Sequence, residues 1–160
     1  SDTGWDIILS MQSRRLDRWI VVLLVLCMGG MVAMILHAGQ GMRYVDEAKI
    51  FADDLVRATA TKWDAKPLEE AATEEFQSNA GQGGLDALVA AIGRELGPVV
   101  SFQGRVSTIE QRPVEGESAT QEVASYFAEG QFKNGPGRLD LVLLKTPTGW
   151  RVMQFTGRKL

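Results

Sequence analysis

An unbroken apolar segment near the N-terminus is the feature that most constrains the fold of this chain. Residues 19–36 read WIVVLLVLCMGGMVAMIL, and no charged residue occurs between Arg18 and Arg43. A helix of about 18 residues that rises 1.5 Å per residue spans roughly 27 Å, close to the thickness of the hydrocarbon core of a bilayer. The segment therefore predicts one transmembrane helix, which we place at residues 19–38.

A cleaved secretory signal is the alternative interpretation of this segment, because basic residues precede it. The apolar run is long for the h-region of a signal peptide. The possible cleavage site, Leu36-His37-Ala38, also has a large residue where a small one is expected. We therefore expect the helix to be retained as an anchor.

The charges that flank the segment predict its orientation. Arg14, Arg15 and Arg18 lie within five residues before it, whereas the fifteen or so residues after it contain only Arg43 and Lys49. The positive-inside rule then places the N-terminus in the cytoplasm and the C-terminal part on the other side. That side is the periplasm in a bacterium and the intermembrane space in a mitochondrion. The abundance of Ala, Gly and Val favours a bacterial inner membrane.

Small residues in the predicted membrane helix offer a contact surface. Gly29 and Ala33 form a small-xxx-small pair that lets another membrane helix approach closely, and Gly30 widens the small surface. The alternative is that these residues face lipid only. Trp19 is expected at the headgroups, and residues 1–18 have the helical spacing of an amphipathic segment that lies on the membrane or docks onto a partner subunit.

The rest of the chain has the size of one compact domain, roughly 115 residues. We assign residues 39–66 to a stalk and a first helix, with the helix at 43–63, where apolar residues recur at helical spacing. Residues 67–160 form the remainder of the domain. A second helix is predicted from Pro67 to near Asn79, and a third from Leu85 to Leu96, which Gly97-Pro98 ends.

From Val99 onward the pattern changes from helices to strands. Turn residues such as Asn134-Gly135-Pro136-Gly137 separate four predicted strands, at residues 100–112, 120–133, 138–145 and 150–158. Short connections between consecutive strands predict an antiparallel meander. The predicted fold class is α+β, with one transmembrane helix followed by a helical layer packed on a curved four-stranded antiparallel sheet.

Three segments carry a resemblance to a known family: Trp63-Asp64-Ala65 at the end of the long first helix, residues 126–135 (YFAEGQFKNG), and the closing hairpin at 139–155 with Gly149-Trp150 at its turn. Together with the order of helices and strands, they make residues 43–160 resemble the nuclear-transport-factor-2-like (cystatin-like) superfamily. The resemblance implies a sheet that wraps the helices into a cone, which either holds a ligand or is filled. It carries no catalytic motif.

Few residues suggest chemistry inside such a cone. Asp64 follows the first helix, where a cap or turn residue is the favoured interpretation. Asp140 and Glu129 alternate with apolar neighbours, which favours the solvated face of the sheet. Tyr126 is a possible hydrogen-bond donor, although a buried core tyrosine is commoner. The single histidine, His37, lies at the edge of the predicted membrane helix. Asp64, Tyr126 and Asp140 are therefore our weak cavity candidates.

No motif points to a metal, a cofactor or a nucleic acid. The single cysteine, Cys27, lies in the apolar run, so the domain has no thiolate nucleophile, disulfide or zinc cluster. Gly81-Gln-Gly-Gly84 lacks the Gly-Lys-Ser/Thr of a phosphate loop. The net charge of −3 without a basic patch excludes a nucleic-acid binder.

These features predict a non-enzymatic accessory or scaffold subunit of a bacterial inner-membrane complex, with other integral membrane subunits and the lipid bilayer as its partners. An energy-converting or respiratory assembly is favoured. A secretion-type assembly comes next, since its scaffold subunits resemble this layout of tail, anchor and periplasmic domain. The alternative is a membrane-tethered periplasmic ligand-binding protein or cone-cavity enzyme, which needs a cavity of roughly 300 Å³ with convergent polar groups.

Overall fold

The computed structural model describes residues 41–113 and 120–160, of which Arg43–Leu160 form one compact unit. The predicted membrane segment lies outside these residues. Residues 41–60 form helix α1. The elements that follow are α2 (Lys66–Ala71), α3 (Glu74–Asn79), α4 (Gly84–Leu96), β1 (Val99–Pro113), β2 (Thr120–Phe132), β3 (Gly135–Thr146) and β4 (Gly149–Lys159).

The four strands form one antiparallel sheet in the order β1-β2-β3-β4. Each strand follows its predecessor in the chain because the connections are too short for a crossover. The predicted α+β class and four-stranded antiparallel sheet are confirmed. Register places Tyr126 of β2 between Val106 of β1 and Leu141 of β3.

The core lies between one face of the sheet and the helices. Alternate residues of β3, namely Leu139, Leu141 and Leu143, are at most 1% exposed, as the period of two in a strand requires. Helix α1 contributes mainly small residues such as Ala48 and Ala52, which let its backbone approach the sheet closely. Burying one leucine side chain contributes roughly 1.5–3 kcal/mol, so these positions dominate stability.

The second helix differs from its prediction, because two short helices replace one continuous helix. The chain breaks at Ala72, which is extended and forms a parallel bridge with Val152 of β4. The amide of Thr73 donates to the Val152 carbonyl at 2.9 Å. The Thr73 hydroxyl then accepts from the amide of Phe76 at 3.2 Å and caps α3. This contact with a distant strand interrupts the helix at Ala72 and Thr73.

The first helix also ends earlier than predicted, at residue 60 instead of residue 63. Trp63 takes a left-handed backbone conformation, with φ of 53°, and its indole Nε1 donates to the Gly97 carbonyl at 2.8 Å. Its ring lies over Gly93 of α4, where a Cβ atom would stand 2.5 Å from the ring. Packing of Trp63 on α4 therefore fixes the path of the chain out of α1.

Candidate functional site

The residues predicted to pack, anchor or orient the membrane helix lie outside the described residues. They are Arg14, Arg15, Arg18, Trp19, Gly29, Gly30 and Ala33, together with Cys27 and His37. Within residues 41–113 and 120–160, a search for helices long and apolar enough to cross a bilayer finds none.

The three cavity candidates do not come together. Asp64 is exposed, and its Oδ1 accepts from the amide of Lys66 at 3.0 Å, which makes it a turn residue. Asp140 lies between the buried Leu139 and Leu141 and therefore on the outer face of the sheet. Tyr126 lies on the inner face and is 2% exposed. A reaction that needs all three groups is not supported by this placement.

Tyr126 instead joins a small polar cluster under helix α1. Its hydroxyl donates to Oδ1 of Asp53 at 2.5 Å, and the Nζ of Lys49 contacts Oδ2 of the same carboxylate. Lys49 and Asp53 lie one helical turn apart, so both can reach the sheet from the same flank of α1. The cluster links α1 to the middle of β2.

Gly104 of β1 makes this cluster possible. It is buried beside Tyr126, and a Cβ atom there would collide with both Oδ1 of Asp53 and the hydroxyl of Tyr126. Any larger residue must push the carboxylate or the phenol away. A glycine is therefore required here for close approach rather than for backbone freedom.

The environment of Tyr126 keeps its phenol neutral. Burial is the largest cause that raises its pKa above the ordinary value of about 10, and the hydrogen bond to Asp53 raises the pKa further. Because its pKa is raised, the phenol stays protonated at neutral pH, is not available as a general base, and donates a hydrogen bond to the carboxylate. The cluster is suited to holding α1 in place.

Two further contacts fasten α1 to the sheet. Lys145 of β3 pairs with Glu47 at 2.8 Å, and its Nζ lies 5.3 Å from the ring centre of Trp150. The hydrogen bond from Lys145 lowers the pKa of Glu47. Arg57 lies 5.9 Å from the ring centre of Phe102 on β1. Helix α1 is thus held to β1, β2 and β3 along its length.

An ordered charge network lies on the outer face of the sheet. Arg138 pairs with Asp140 at 2.7 Å and with Glu129 at 3.0 Å, and its guanidinium lies 4.2 Å from the ring centre of Phe127. The hydrogen bond to Asp140 is the largest cause that raises the pKa of Arg138. Because every charge in the network is paired, this face resembles a solvated surface more than a binding site.

One open groove of about 420 Å³ lies between α1, α2 and the start of β4, and we name it the α1–α2 groove. It is bounded by Phe51, Asp54, Leu55, Ala58, Pro67, Glu70, Ala71, Thr148, Trp150 and Arg151. Six of these ten residues are apolar, so the groove presents carbon atoms to solvent with polar groups around them.

The described residues contain no group of three His, Cys, Asp or Glu side chains placed to hold a metal ion. The acids on α1 are instead close to cations of this chain, as in the pairs Lys49–Asp53 and Arg57–Asp54. The prediction that the chain takes no cofactor remains a prediction.

Sequence reasoning missed Asp53 and the groove. Asp53 is one of several acids on the polar side of α1. It lies 73 positions from Tyr126 in the chain, so no local sequence pattern identifies the pair. Ala58 is one of the apolar residues that recur at helical spacing over residues 43–63, and it is nevertheless exposed in the groove. A helical period predicts a buried face but not where neighbouring elements stop covering it.

Comparison with known proteins gives little beyond the structure. No protein-family model and no curated protein matches the chain. One solved structure, that of a protein from Novosphingobium aromaticivorans provisionally named an aromatic ring hydroxylase, is similar at 18% identity and a TM-score of 0.36. The match covers 70% of this chain and 88% of that one. At this level of similarity no function is transferred.

Proposed function

We propose that this chain is a non-enzymatic, single-pass accessory or scaffold subunit of a bacterial inner-membrane complex, with its N-terminus in the cytoplasm and its domain in the periplasm. The observation that carries the proposal is the fastening of α1 to three strands by Glu47, Asp53 and Arg57. These polar side chains hold a helix that begins, in the sequence, just after the predicted anchor.

A helix fixed in this way forms one packed body with the sheet. An anchor also confines the domain to the membrane surface, which raises its effective concentration near membrane partners. Both properties suit a subunit that positions others. We favour an energy-converting or respiratory assembly over a secretion-type assembly, and we assign the domain to a nuclear-transport-factor-2-like cone on the order of its elements.

The buried side chains on the inner face of the sheet favour the scaffold function rather than a cone that holds a ligand. Leu139, Leu141 and Phe155 are at most 1% exposed, and Tyr126 gives its only hydroxyl to Asp53. A small-ligand site needs polar groups that converge on free space. On the inner face, the hydroxyl of Tyr126 already donates its hydrogen bond to Asp53 of α1.

Purification of the intact complex tests the proposal. The full chain, tagged at its C-terminus and expressed in its own host, is extracted in mild detergent and its companions are identified by mass spectrometry. We expect integral membrane subunits in fixed stoichiometry, absent from a control with an unrelated single-pass protein under the same tag. Recovery of the chain alone as a monomer would contradict the proposal.

Cysteine labelling tests the orientation separately. Thr148→Cys places a thiol on an exposed turn, and Ser10→Cys places one before the predicted anchor. A membrane-impermeant maleimide applied to cells with a permeabilised outer membrane is expected to label the first variant and to label the second only after lysis. Labelling in the reverse order would overturn the assigned topology. The native Cys27, replaced by Ser in both variants, gives no background.

A further inference from the structure

The α1–α2 groove differs in its chemistry from a neighbouring recess with which it shares Glu70. That recess, of about 480 Å³, is bounded by Glu69, Glu70, Gln77, Gly84 and Leu85 and is mostly polar. The α1–α2 groove has an apolar floor instead, formed by Phe51, Leu55 and Ala71 with the edge of Trp150. Its volume of about 420 Å³ accommodates a large side chain.

Carboxylates surround this apolar floor. Asp54 and Glu70 lie on opposite rims, one on α1 and one on α2, and both are exposed. The neighbouring segment at residues 64–86 contains six acidic residues and one lysine. In the part of the chain that the structure describes, none of those six forms an ion pair.

The cations near the groove offset only part of this charge. Arg151 borders the groove, and its guanidinium, which donates to the carbonyl oxygen of Glu70 at 2.6 Å, adds one positive charge to the lining. Arg57 stands 3.6 Å from Asp54, and both side chains are about 70% exposed, so the pair is weak. The lining of the groove therefore holds two carboxylates and one guanidinium, and the excess of negative charge comes from the neighbouring segment at residues 64–86.

We propose that the α1–α2 groove binds a periplasmic segment of a partner membrane subunit in which one large apolar side chain is flanked by lysine or arginine. The proposal rests on the function proposed above and names the chemistry of the partner. A buried apolar anchor supplies affinity, and charges at the rim supply orientation and a faster encounter.

A synthetic peptide tests this recognition directly. The probe is an eleven-residue peptide, GSKKAFAKKSG, labelled with fluorescein and titrated with the full chain in nanodiscs of neutral phosphatidylcholine. Neutral lipid prevents binding of lysine to the bilayer itself. We expect the peptide to bind at least tenfold more tightly than its counterpart with four Glu for Lys, and the affinity to fall as salt is raised. Equal affinities would overturn the proposal.

Two variants and two matched controls locate the binding. Ala58→Arg fills the groove from an exposed helical position, and Glu70→Lys reverses one rim charge. We expect the first to weaken peptide binding at least tenfold and the second about fivefold. The controls Ala91→Arg and Glu95→Lys make the same changes on exposed positions of α4 and are expected to stay within twofold of the native chain. Equal weakening by the controls would place the peptide elsewhere.

Copurification distinguishes a failure of the groove proposal from a failure of the proposed function. If the native chain retains membrane subunits and Ala58→Arg retains all of them as well, the groove proposal fails and the scaffold function stands. If the native chain retains none, the scaffold function fails, while the peptide titration still decides what the groove binds. Loss of a subunit from Ala58→Arg but not from Ala91→Arg supports both. The circular dichroism spectra of both variants serve as the check on folding.

Discussion

At the scale of single residues, Tyr126 connects the sheet to helix α1. Its ring is part of the core, and its hydroxyl reaches a carboxylate on α1. The two roles are separable, because phenylalanine keeps the ring and removes only the hydroxyl. Three predictions belong to this scale, and all can be measured on the full chain in detergent.

We predict that Tyr126→Phe lowers the free energy of unfolding by about 1–3 kcal/mol. The range reflects a hydrogen bond to a charged acceptor, and Asp53 remains partly solvated and paired with Lys49 after the change. Denaturant titration followed by near-ultraviolet circular dichroism measures the difference. Tyr44→Phe is the control and is expected to change little, since Tyr44 is only half-buried. An unchanged midpoint in Tyr126→Phe would show that the bond contributes nothing.

The same residue predicts a loss of stability at alkaline pH. The folded pKa of Tyr126 is raised above its unfolded value of about 10, so the stability due to its neutral form is fully present below pH 10 and declines as the pH rises above it. We expect the native chain to lose stability between pH 9 and about 11.5 more steeply than Tyr126→Phe. Parallel curves for the two proteins would refute this assignment.

Thr59 is a buried polar residue whose replacement is expected to stabilise the protein. It is 0% exposed, and its hydroxyl has no hydrogen-bond partner among the described residues. Valine has nearly the same shape without the hydroxyl, so Thr59→Val is predicted to raise the free energy of unfolding by about 1 kcal/mol. Thr61→Val, at an exposed position just after the end of α1, is the control for the same substitution in solvent. A destabilised Thr59→Val would indicate an acceptor that the hydroxyl does find.

At the scale of elements, the absence of a side chain at one position of β1 sets the distance between α1 and the sheet. Gly104 leaves the space that Asp53 and Tyr126 occupy. We predict that Gly104→Ala costs about 2 kcal/mol or more, because overpacking at a closely packed site typically costs about 1–3 kcal/mol and here it also separates a hydrogen bond. Thermal unfolding compared with Gln103→Ala, an exposed neighbour on the same strand, measures the cost. A similar small loss in both would mean that α1 shifts freely.

The break between α2 and α3 gives a second prediction at this scale. Thr73→Ala removes the side-chain cap of α3 while keeping the backbone contact with β4. We expect a loss of about 1 kcal/mol. Thr73→Ser retains the capping oxygen and is expected to restore most of the loss. If serine is as destabilising as alanine, the methyl group and not the hydroxyl stabilises this position.

The order of helices and strands was predictable from the sequence, whereas the long-range contacts were not. Period-two alternation in β3 and the turn at residues 134–137 are local signals, so the strands and their antiparallel order follow from them. The break at Ala72 is produced by Val152, 80 positions away in the chain. No window of sequence contains both residues, and helix propensity alone favoured one continuous helix. The Asp53–Tyr126 bond escaped prediction for the same reason.

At the scale of the whole molecule, the polar clusters described above form contacts within the chain. The clusters at Asp53 and Arg138 and the pair at Lys145 are all occupied by partners within the chain. In the groove between α1 and α2, by contrast, apolar side chains and carboxylates lie side by side at the surface. This contrast is why we look for function in an interaction surface.

The attachment of α1 also has a consequence for biosynthesis. Glu47 leaves the ribosome first, and its partner Lys145 follows 98 residues later, which at about 5–20 residues per second is a delay of roughly 5–20 s. Throughout that interval the apolar flank of the first helix has no sheet to cover it. Truncation within the last hairpin would leave this flank uncovered for good, and we expect such chains to be degraded by quality-control proteases.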